Sequence, residues 1–123
     1  MKKKIIIAFF ISIVTLGAFA QNPNSDKTPE ERASFQTEWM TENLTLFEEQ
    51  VPKIDSLNLV YAKKMEALKE IQGRFNQLRE AKKIAGEKED ELKQILTKDQ
   101  FKIYQDKKSE LREKMKEMSE ENR

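Results

Sequence analysis

The 123-residue chain contains no cysteine and no histidine. Without cysteine there is no disulfide scaffold, although an exported chain could use one. Without either residue, most metal sites and most nucleophile–base pairs are excluded. Ser25, Ser34, Ser56, Ser109 and Ser119 therefore have no imidazole to activate them. Glycine and proline are scarce, at three each, and no glycine-rich loop is present to cradle a phosphate. Net charge is also small: 23 Lys and Arg stand against 22 Asp and Glu. A nucleic-acid-binding domain would be clearly basic, so no nucleic-acid partner is expected. No enzyme activity, cofactor or metal site is expected either. Glu87, Asp90 and Glu91 are the nearest thing to a hard-cation cluster, but no turn or backbone-carbonyl loop accompanies them.

What is present begins with a leader. Lys2, Lys3 and Lys4 form a basic segment, Ile5 to Leu16 an apolar one, and Gly17-Ala18-Phe19-Ala20 a small-x-small cleavage pattern. The apolar run is shorter than the roughly 20 residues that span a bilayer. A signal peptide over residues 1–20, cleaved after Ala20, is expected, with the mature chain exported and not inserted in the membrane. No cysteine follows the cleavage site to take a lipid anchor. Loss of the three lysines brings the net charge to −2. Residues 21–27 read as a disordered polar linker, and residues 28–123 as a single helical domain.

The rest is rich in Glu, Lys, Leu, Gln and Met, a long-helix composition with no strand pattern. Thr28-Pro29-Glu30-Glu31 is a helix start: Thr28 caps, Pro29 occupies the first position, and Glu31 completes a capping box. The first helix is expected to reach about Asn43. Ala33, Thr37, Met40 and Leu44 form its core stripe, while Phe35 and Trp39 fall on nearly the opposite side. Such a helix is either sandwiched or presents one face outward. Trp39 is expected to be partly exposed, and Arg32, Phe35, Trp39 and Leu46 are the candidate residues of a binding surface for other proteins.

A second helix starts between Phe47 and Pro52. From Ile54 through Leu57, Tyr61, Met65, Leu68, Ile71, Phe75 and Leu78, apolar residues recur every three or four positions. The register continues through Ala81, Ala85, Lys88, Leu92 and Ile95, with the bend expected at Gly86. Whether this is one bent rod or two helices the pattern leaves open. A last helix carries Phe101, Tyr104, Lys108, Leu111, Met115 and Met118 on one stripe. Lys82-Lys83 and Lys107-Lys108 read as ordinary charged helix surface.

Two short segments fifty residues apart echo each other: Leu46-Phe47-Glu48-Glu49-Gln50 and Leu96-Thr97-Lys98-Asp99-Gln100. The second is a Leu-Thr-x-x-Gln capping box, in which the Thr97 hydroxyl caps and Gln100 reaches back. In the first, Phe47 lacks the hydroxyl, and Thr45 with Glu48 offers an alternative box. Leu46, Gln50, Leu96, Thr97 and Gln100 are the motif residues.

These segments, on an exported helical chain, resemble the Spy/CpxP family of Gram-negative periplasmic proteins. The resemblance runs from Arg32 to the end of the last helix. The long narrow stripes already predict an all-α, elongated, hairpin-like protomer of about four helices with a long bent central helix, its stripe completed by a second subunit in a homodimer; the resemblance implies that this homodimer is cradle-shaped. It implies an ATP-independent chaperone for unfolded or aggregation-prone proteins during envelope stress. The alternative it implies is a signalling accessory that binds the periplasmic domain of a sensor kinase. A structural coiled-coil spacer is a third reading from the residues themselves. The zinc-handling branch of that family is not matched here, because histidine and cysteine are missing.

Overall fold

The computed structural model describes residues 27–120; the expected leader, most of the linker and the last three residues lie outside them. The helix start at Thr28 forms as its chemistry dictates. The Thr28 N–H donates to Glu31 Oε1 at 2.9 Å, and the Glu31 N–H donates to Thr28 Oγ1 at 3.1 Å. Helix α1 then runs Pro29–Leu44, followed by α2 (Gln50–Glu66), a 3-10 turn (Ala67–Glu70), α3 (Arg74–Ile95) and α4 (Lys98–Glu120). The protomer is all-α and elongated, with four helices and a central helical run bent back on itself.

Helix α1 is sandwiched between α2 and α4 of its own protomer. Ala33, Thr37, Met40 and Leu44 are buried, as their spacing predicts. Trp39 is buried as well, at 6 % exposure, and Phe35 packs against the same core. The expectation that Trp39 is partly exposed is therefore overturned. Two apolar faces on one helix are both consumed inside the fold, because a neighbouring helix covers each.

The central run departs from the expected stripe after Tyr61. Ile54, Leu57 and Tyr61 are buried. Beyond Glu66 the helix tightens to 3-10, Ile71 becomes extended, and Gly73 adopts φ +92. That left-handed region is strained for any residue with a Cβ. The Gln77 side chain ties the turn by donating to the carbonyls of Leu68 (3.2 Å) and Ile71 (2.9 Å). Helix α3 then runs back along α2, with Tyr61 Oη donating to Glu91 Oε2 at 2.6 Å and Lys64 paired with Glu87 at 3.8 Å.

The bend is thus at Gly73, not at Gly86. Gly86 sits inside α3 with nothing within 4 Å of a Cβ placed there. A helix-interior glycine costs only about 1 kcal/mol, which packing overrides; a positive φ is a stronger demand. Three stripe positions consequently face solvent: Met65, Phe75 and Leu78, the last two at 73 % and 57 % exposure. In α3 the inward residue is Ile84 rather than the expected Ala85.

Candidate functional site: the paired glutamine motifs

The two sequence echoes meet in space. The C-terminal end of α1, the start of α2, the end of α3 and the start of α4 converge on the side chains of Gln50 and Gln100. Both are buried, each 6 % exposed. Their amides face each other reciprocally: Gln50 Nε2 donates to Gln100 Oε1 at 2.7 Å, and Gln100 Nε2 donates to Gln50 Oε1 at 3.0 Å.

Each amide also holds its own helix start and the other motif's entry. Gln100 Oε1 accepts from the Thr97 N–H at 3.0 Å, and Gln50 Oε1 accepts from the Phe47 N–H at 2.7 Å. Gln50 Nε2 donates to the Ile95 carbonyl at 3.0 Å. Gln100 Nε2 donates to the carbonyls of Leu44 and Thr45, both at 3.4 Å. Ile95 and Thr45 each immediately precede the leucine of their motif, so the arrangement has an approximate two-fold relation. Every donor and acceptor of the two amides is used. Leu46 (1 % exposed) and Leu96 are buried beside them.

The second motif forms its full box, the Gln100 N–H donating to Thr97 Oγ1 at 3.1 Å. The first keeps only the glutamine half. With no hydroxyl on Phe47, the Gln50 N–H donates instead to the Phe47 carbonyl at 2.9 Å. The alternative box of Thr45 with Glu48 does not form: Thr45 ends α1 at φ 53, and α2 has no side-chain cap bond. The pairing of the glutamines is not legible in the sequence; only their equal position in two echoing segments hints at it.

The proposed client-binding residues are not brought together as a surface. Leu46 and Trp39 belong to the core. Arg32 spans inward to Glu66 Oε1 at 2.9 Å and to the carbonyl of Lys27 at 2.6 Å, which locks α1 to the end of α2. Hydrogen bonds from Lys69 and Arg32 hold the Glu66 carboxyl below its ordinary range.

Other titratable groups serve the packing. Burial pushes the Lys88 ammonium down to about 8, while Nζ donates to Gln36 Oε1 at 2.6 Å and so ties α3 to α1. The hydrogen bond to Glu91, with burial, raises the Tyr61 phenol to about 12. Burial does the same for Tyr104. Lys108, the charged member of the α4 stripe, ion-pairs with Glu89 of α3. Among the described residues no group of three or more acidic side chains is placed to hold a metal ion. Glu87 and Glu91 are instead engaged by Lys64 and Tyr61.

An open apolar groove lies between α2 and α3. It is lined by Pro52, Lys53, Ser56, Leu57 and Val60 of α2 and by Glu91 and Ile95 of α3, and of these Leu57 is buried.

Comparison with curated proteins finds no match, and comparison with solved structures finds none. One family profile does match, over residues 20–104, which takes in both glutamine motifs and α1 to α3. The chain therefore belongs to the family described as "Domain of unknown function (DUF4890)".

Proposed function

We propose that this protein is an ATP-independent chaperone of the bacterial periplasm that holds unfolded or aggregation-prone chains. The observation that carries the reading is the open groove between α2 and α3. Its apolar residues Pro52, Leu57, Val60 and Ile95 are flanked by one positive and one negative side chain, Lys53 and Glu91. A shallow apolar track with charges of both signs accepts many sequences and specifies none. Charge brings a client in, and apolar contact retains it. The resemblance to the Spy/CpxP family supports the same reading, since both motif copies are engaged at helix starts. In this reading two protomers pair into a cradle, and sedimentation equilibrium of the chain from Gln21 gives twice the protomer mass.

The test is suppression of aggregation of an unrelated reduced protein, without ATP, at stoichiometric amounts. Suppression is expected with several clients, and Val60→Lys is expected to weaken it while leaving the melting temperature unchanged, because Val60 is half exposed. Failure with every client sinks the chaperone reading. Tight binding to a single sensor-kinase domain would establish the signalling accessory in its place.

A further inference from the structure

The turn that reverses the chain at Gly73 leaves an exposed face at the start of α3. Phe75 and Leu78 are its apolar members, 73 % and 57 % exposed. Arg79, Lys82 and Lys83 share that side of the helix, by their spacing of three and four, and Arg74 flanks it. The opposite side carries Ile84, which faces the core. The Arg79 guanidinium lies over the Phe75 ring, 5.1 Å from its centroid, and donates to Asn76 Oδ1 at 2.9 Å. Arg74, Lys82 and Lys83 have no hydrogen-bond or ion-pair partner among the described residues. The carboxylates closest along the chain are Glu66, Glu70, Glu80 and Glu87; by the helical period Glu80 and Glu87 fall away from the Phe75 side of α3, and Glu70 belongs to the turn. Glu66 is taken by Arg32 and Lys69, and Glu87 by Lys64.

We propose that this basic, apolar tip docks on the surface of a bilayer with anionic headgroups. The proposal goes beyond the chaperone reading and uses different residues. Two observations select this occupant. First, the charge is of one sign: four unpaired or singly bonded cations surround the two apolar side chains, and each such cation gains markedly near an anionic leaflet. Second, the side chains project from one helix at the outer end of a hairpin, with no opposing wall. A polypeptide segment needs a groove to be enclosed, whereas a planar interface needs only one protruding face. Phe75 and Leu78 then enter the headgroup boundary, and the guanidinium stacked on Phe75 stays at the phosphate level. No helix among the described residues is long and apolar enough to cross a membrane.

The experiment uses the chain from Gln21, which contains the whole core and lacks the apolar leader. It is co-sedimented with vesicles of equal phosphatidylglycerol and phosphatidylcholine, and with pure phosphatidylcholine. Binding to the anionic vesicles alone is expected, weakening steeply as salt rises. Phe75→Ser is expected to weaken it about tenfold, and the pair Lys82→Gln, Lys83→Gln more than tenfold, at about fivefold per cation. Val60→Ser, in the groove, should leave it unchanged. Circular dichroism of each variant should match the parent, because every changed side chain is exposed. No binding to anionic vesicles overturns the proposal. So does equal binding to both vesicle types, or binding that survives the tip substitutions. Tip variants that lose an acidic unfolded polypeptide while vesicles never bind would assign the face to protein partners instead.

Discussion

Replacing Gln100 by alanine removes the centre of the helix-end junction. Three hydrogen bonds of 3.0 Å or shorter disappear: from the Thr97 N–H, from Gln50 Nε2 and to Gln50 Oε1. At a net value of about 1 kcal/mol each, the loss is about 3 kcal/mol. The two 3.4 Å contacts to Leu44 and Thr45 add little, being long. For a domain of this size, with a total stability of roughly 5–10 kcal/mol, that is a large fraction. Urea unfolding followed by circular dichroism reads it directly. Gln50→Ala should cost a similar amount, and the double variant clearly less than the sum, with a coupling of at least about 1 kcal/mol. Gln100→Glu keeps the shape but, when ionised, cannot donate to Gln50 Oε1. The ionised form should therefore be less stable than the parent at neutral pH, by about the 1–3 kcal/mol of a buried acceptor left without its donor. A single-variant loss below about 0.5 kcal/mol, or additive losses, would refute the reciprocal pair as the junction's support.

Other outcomes follow from the same geometry. Gly73→Ala should destabilise by about 1–2 kcal/mol, because φ is +92 there, whereas Gly86→Ala should stabilise by about 1 kcal/mol; urea midpoints that move in the same direction would place the bend elsewhere. Trp39→Ala should cost about 3 kcal/mol or more as a buried large aromatic, and the emission of this sole tryptophan should be blue in the free protein; a red emission and an unchanged melting temperature would restore an exposed Trp39. Lys88 is lowered to about 8, so between there and its ordinary value the unfolded chain binds the proton and the folded one does not, and stability gains as pH rises. Lys88→Met should therefore be more stable than the parent at pH 7, with the difference shrinking above pH 8; a difference independent of pH would remove burial of the charge as its cause.

Local chemistry is legible in the chain itself. The Thr28 and Thr97 boxes depend on residues three apart, so sequence alone specifies them. The α1 core stripe and the inward face of α4 follow from helical period, and the all-α class follows from the composition. Three features are decided only by tertiary packing. Trp39 is buried because α1 is covered on two sides, and no periodicity reports how many neighbours a helix has. The apolar register from Ile54 to Leu78 is continuous in the sequence. It breaks at Gly73 because the hairpin gains the α2–α3 contacts, a long-range term absent from any local window, and this leaves Phe75 and Leu78 outside. Gln50 and Gln100 are each recognisable as motif residues. That their amides close on one another across fifty residues is a property of the folded chain, fixed by four helix ends that must satisfy their polar groups in one place.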